Sequence, residues 1–164
     1  MQEGSIYSAL VDGSFVLKFV GDVRLTLCTS LDCHINDALA KASVSNILID
    51  LTEAEGIDST SLGLIAKLSI KASEADLGKP TLVSTNPDIT SILYTMGFDH
   101  IFILLEELPT SIKDLKELPF VQESVDEMKE RIISAHQILM GLNDSNREAF
   151  KDLVSTLESV NENK

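Results

Sequence analysis

The stretch "ILIDLTEAEGIDSTSLGLI", Ile47 to Ile65, decides how this chain folds. It opens in a short apolar run, Asn46 to Leu51, as expected of a buried strand. It closes in Leu62 and Ile65, and Ala66, Leu68 and Ala72 extend that series at the spacing of an amphipathic helix starting at Ser59. Between the two lies an acidic segment that reads as a loop. Three hydroxyls, Ser59, Thr60 and Ser61, crowd the point where the helix begins. One would serve as a cap.

Working outward, "GSFVLKFVGDV" (Gly13 to Val23) alternates Phe15, Leu17 and Phe19 against Val16, Lys18 and Val20, which predicts a strand ending at Gly21-Asp22. The preceding "SIYSALVDG" is expected to pair with it as a hairpin through Asp12-Gly13. Leu31, Ile35, Ala38, Leu39 and Ala42 predict a helix. After the break at "GKP" come a strand at "TLVST" and a helix with Pro87 in its first turn, which ends at Met96-Gly97-Phe98 with glycine as its cap. "HIFILL" is the last expected strand, and "TSIKDL" a further helical turn. The order β-β-α-β-α-β-α-β-α describes an α/β fold, a small mixed sheet with helices packed against it.

From Phe120 the pattern changes. Val121, Val125, Met128, Ile132, Ala135, Leu139 and Leu142 form one seam; Asn146, Phe150, Leu153, Leu157 and Val160 form another after Gly141-Leu142-Asn143. Ser145 and Glu148 fit a capping box for the second helix. The expected organisation is a domain over residues 1–117 followed by a helical hairpin over 118–164. A hairpin this short is marginal alone, so its seam is expected on the body, on a second copy or on a partner.

Composition narrows the function. The 164 residues are 44% hydrophobic but 5% aromatic with no Trp, which predicts an aliphatic core. The net charge of −13 disfavours nucleic acid and anionic membrane and favours a basic protein partner. No basic-then-apolar leader and no apolar run of roughly 18 to 20 residues is apparent. With two cysteines, Cys28 and Cys33, the plain expectation is a cytoplasmic protein with reduced thiols. Cys28, Cys33 and His34 make a weak metal pattern, and no metal or cofactor is expected. There is no G-x-S-x-G, and His34, His100 and His136 are dispersed, so a serine hydrolase is a poor reading. No glycine-rich phosphate loop suggests a kinase. The chain is not expected to be an enzyme.

Two readings of the hydroxyls remain on residue chemistry alone. In the first, Ser59 caps the helix by accepting the N–H of Ser61 or Leu62, and Thr60 and Ser61 are solvent-tolerant first-turn residues. In the second, the unpaired N–H groups and partial positive charge of the helix start favour a phosphate there, making a serine a good modification site.

"ILIDLTEAEGIDSTSLGLI" resembles the signature of the STAS domain, the family of bacterial anti-sigma factor antagonists: a strand ending in Asp, a short acidic loop, then Asp-Ser-x-x-Leu-Gly opening a helix. Asp50, Asp58, Ser59, Leu62 and Gly63 fill those places, and the resemblance spans roughly residues 5 to 115. It implies that Ser59 is the phospho-acceptor, with Ser61 a minor candidate. It further implies a partner-binding set of Asp22, Arg24, Asp58, Ser59, Thr60, Ser61 and Gly63. The loop Gly21-Asp22-Val23-Arg24 departs from the family's usual Gly-x-Leu-Asp by placing an arginine beside the phosphosite. The implied function is partner switching: the unphosphorylated form binds an anti-sigma factor and frees the sigma factor, a serine kinase abolishes binding, and a serine phosphatase restores it. The alternatives are a scaffold module of a stress-signalling assembly, or a STAS subunit of a transport complex. A homodimer through the C-terminal helices is a further expectation.

Overall fold

The computed structural model describes residues 3–41, 43–109 and 112–162. Strands β1 (Ser5–Val11) and β2 (Ser14–Val23) form the expected hairpin. Its two-residue turn has Asp12 at φ 51° and Gly13 at φ 86°. Positive φ at both central positions matches the twist of the flanking strands. Helix α1 (Cys28–Lys41) follows, then β3 (Asn46–Ile57), α2 (Ser59–Glu74), β4 (Thr81–Val83), α3 (Pro87–Thr95) and β5 (Ile103–Leu105). The sheet order is β5-β4-β3-β2-β1-β6, where β6 is Lys116–Glu117. β1 is antiparallel to both its neighbours, and the β2, β3, β4 and β5 pairings are parallel.

Two expectations need correction. The acidic "loop" after Leu51 belongs to β3, which runs on to Ile57. Its partner β2 is long enough to pair with it throughout, with Val20 opposite Glu53 and Val23 opposite Ile57, across two register shifts. The helical turn expected at "TSIKDL" is absent over 112–115, and Lys116–Glu117 pair with Tyr7 and Ser8 of β1 instead. Thr110 and Ser111 lie outside the described residues.

The core joins β2 and β3 to α1, α2 and α3, with Leu17, Ile49, Leu51, Ile65, Leu68 and Leu93 fully buried. It is predominantly aliphatic, as composition suggested. Phe15, Phe19, Phe98 and Phe102 are its aromatic members, while Tyr94 and Phe120 are exposed.

The chain ends in α4 (Val125–Met140) and α5 (Asp144–Glu162). α4 starts later than its apolar pattern suggested, at Ser124, whose Oγ accepts the Glu127 N–H at 3.1 Å. α5 is capped by Asn143, whose Oδ1 accepts the Asn146 N–H at 2.8 Å, and not by Ser145. The seams are also shifted. Ile133, Ala135, His136 and Leu139 are the buried residues of α4, while Val125 is 81% exposed. On α5, Asn146 and Val154 are buried, Phe150 and Leu157 half-buried, and Leu153 and Val160 exposed. Among the described residues no helix is long and apolar enough to cross a membrane.

Candidate functional site

The parallel pairing of β2 with β3 sets Asp22 opposite Gly56 and brings both strand ends to the start of α2. There Asp58 takes an extended conformation, φ −87° and ψ 168°, and caps the helix: its Oδ1 accepts the Ser61 N–H at 2.8 Å. Its Oδ2 accepts the Leu25 N–H at 2.6 Å, tying the turn after β2 to the helix. Both oxygens are thus engaged. The expectation that Ser59 is the cap is corrected, because Asp58 already holds the donor that Ser59 was assigned.

Ser59 is consequently free to bond elsewhere. Its Oγ lies 2.7 Å from Nε2 of His136 on α4. The other ring nitrogen, Nδ1, is 2.7 Å from the Ile132 carbonyl, which accepts only. Nδ1 therefore carries a proton, and in that tautomer Nε2 accepts from the Ser59 hydroxyl. The ring is buried, 2% exposed, with its edge toward Phe150 at 5.0 Å between centroids. In sequence the two residues stand 77 positions apart. Dispersal of the histidines is one of the two grounds, with the missing G-x-S-x-G, against a serine hydrolase, and for His136 the fold removes it. The geometry still differs from a hydrolase triad, since a backbone carbonyl sits where a carboxylate would orient the ring.

The other expected residues fall into two groups. Thr60 and Ser61 are buried, contrary to the solvent-tolerant role expected of them; Ser61 Oγ lies 3.5 Å from the Cys28 thiol. Burial pushes that thiol up to about 12. Asp22 and Arg24 lie at the rim, joined by a 2.8 Å bond from Arg24 Nε to Asp22 Oδ2, and this pairing raises the Arg24 guanidinium. Gly63 faces α4: a Cβ built on it would collide with the Ala135 carbonyl oxygen. Cys28 is buried and Cys33 exposed, and His34 stacks on Phe15 at 5.7 Å. Among the described residues no group of three or more His, Cys, Asp or Glu is placed to hold a metal.

A model of the STAS domain family matches residues 8–115, well over half of the sequence, and the chain belongs to that family. α4 and α5 lie beyond the match. Two solved structures share the fold. One is an anti-sigma factor antagonist from Mycobacterium paratuberculosis, with 24% identity and a TM-score of 0.53 over 65% of this chain and 88% of that one. The other is the anti-sigma factor antagonist SpoIIAA in its unphosphorylated form, with 16% identity and a TM-score of 0.54 over 63% and 89%. No curated protein matches the chain.

Proposed function

We propose that this STAS domain is an anti-sigma factor antagonist that works by partner switching, with Ser59 as the switch. The observation that carries the reading is Asp58-Ser59-x-x-Leu62-Gly63 set at the start of α2, with Asp58 as the cap and Ser59 left unencumbered by that task. Unphosphorylated protein binds an anti-sigma factor and releases its sigma factor. A serine kinase transfers a phosphoryl group to Ser59, and a serine phosphatase removes it. The helix start tolerates the added −1.5 to −2 charges, roughly, without loss of the fold. A useful switch needs about a hundredfold loss of affinity, about 2.8 kcal/mol. One dianion desolvated at an interface, or set against an acidic group of the partner, is enough.

The test is affinity capture with wild-type, Ser59→Ala and Ser59→Asp protein, followed by mass spectrometry of the captured partner and of the phosphorylated residue. Capture of an anti-sigma factor by the wild-type and Ala forms, and its loss with Asp, is the expected result. Equal capture by all three, or full phosphorylation of Ser59→Ala, overturns the reading.

A further inference from the structure

Seven consecutive residues of α2, Thr60 to Ala66, are buried. A helix turns through all directions in that length, so the sheet alone cannot cover them. The outer cover includes α4. It approaches so closely at Gly63 that the Ala135 backbone occupies the space a side chain would need, and one position further on His136 takes the Ser59 hydroxyl. Other fastenings hold the hairpin. Arg131 of α4, itself paired with Glu123 of the segment leading into the helix, reaches Asp32 of α1 and donates to Thr29 Oγ1 at 3.1 Å. Asn146 donates to the carbonyl of Met96, which the end of α3 leaves open, at 2.8 Å.

Resting on the reading of Ser59 as the regulated group, we infer that the α4–α5 hairpin is a cover acting in cis. Docked, it withholds the Ser59 hydroxyl from a phosphoryl donor and the first turns of α2 from a partner. Undocked, it exposes both. Phosphorylation requires an Oγ–P bond to form as the donor's nucleoside diphosphate leaves and a base takes the hydroxyl proton. In the docked state that proton points at a buried imidazole, and the ring stands in space the phosphoryl group requires. The contact is mixed in character. His136 and Asn146 are buried polar groups, and Leu139 between them joins the main hydrophobic core.

The test uses the full chain with Cys33→Ser and Ser59→Cys, labelled with a polyethylene-glycol maleimide and read site by site. Cys28, buried with a raised thiol, is the internal gauge of body unfolding. Undocking is imposed from the hairpin side by Ala135→Leu and from the body side by Gly63→Ala. Each is expected to speed labelling at position 59 about tenfold or more while Cys28 stays protected, the sign of sub-global opening. Unchanged rates at position 59 in both variants, or labelling of Cys28 in step with it, overturn the inference. Hydrogen exchange of the unaltered chain removes any effect of the new thiol: α4 and α5 amides are expected to exchange together and ahead of β2 and β3. Exchange of all four as one unit overturns the cover. Neither measurement uses a kinase or a partner, so failure here is separate from failure of the capture experiment.

Discussion

Asp58 carries more of the local structure than the serine beside it. Removing its carboxylate leaves the Ser61 and Leu25 N–H groups without acceptors, so Asp58→Ala is expected to cost roughly 2 to 4 kcal/mol in urea denaturation. Ser59→Ala removes no cap. It leaves Nε2 of a buried imidazole unpaired, a cost of about 1 to 3 kcal/mol, and the same titration is expected to rank it below Asp58→Ala. Cys28 gives a pH signature. Its thiol moves from 9.0 to about 12 in the fold, so the unfolded state is the stronger acid. Its contribution is intact below about pH 9 and is lost as pH climbs toward 12. Wild-type stability is therefore expected to fall relative to Cys28→Ala across that window, measured as paired urea midpoints. The Asp-Ser motif was legible from residue types and order. His136 was not, because the contact depends on how a helix far along the chain docks.

At the scale of elements, α4 separates what periodicity reads well from what it reads poorly. Alternating steps of three and four found the helix and its turn, but they also admitted Val125, which is 81% exposed. The buried set is Ile133, Ala135, His136 and Leu139, rotated from the apolar series because a polar His and a small Ala face α2. Ser124 and Glu127 carried the start signal, a serine with an acid three residues on, which a search for apolar repeats overlooks. Ile133→Ala is expected to cost about 2 to 4 kcal/mol and Val125→Ala within about 0.5. Thermal denaturation followed by circular dichroism ranks the two; equal costs would return α4 to the phase read from sequence. β3 shows the opposite case. Glu53 and Glu55 look like loop, yet Leu51 and Ala54 are buried and a long parallel neighbour supplies the ladder through Ile57. Pairing overrode local polarity.

For the whole molecule, a net charge of −13 predicts that association with a basic partner slows steeply as salt is added. Stopped-flow mixing at several ionic strengths measures that slope. The close seat of Ala135 on Gly63 adds a second kinetic trait. If α4 must leave before anything else reaches α2, capture is a two-stage process whose first stage is unimolecular. The observed rate then climbs with partner concentration only until it meets the departure rate of α4, and levels off there. Ala135→Leu is expected to lift that plateau while leaving the low-concentration slope sensitive to salt. A rate that stays linear in partner concentration for both forms would mean that arrival itself levers the helix away. With a levelling rate, the bare α-carbon of one glycine would set a clock: the speed of response would be fixed inside the protein, and an abundant partner could not hurry it.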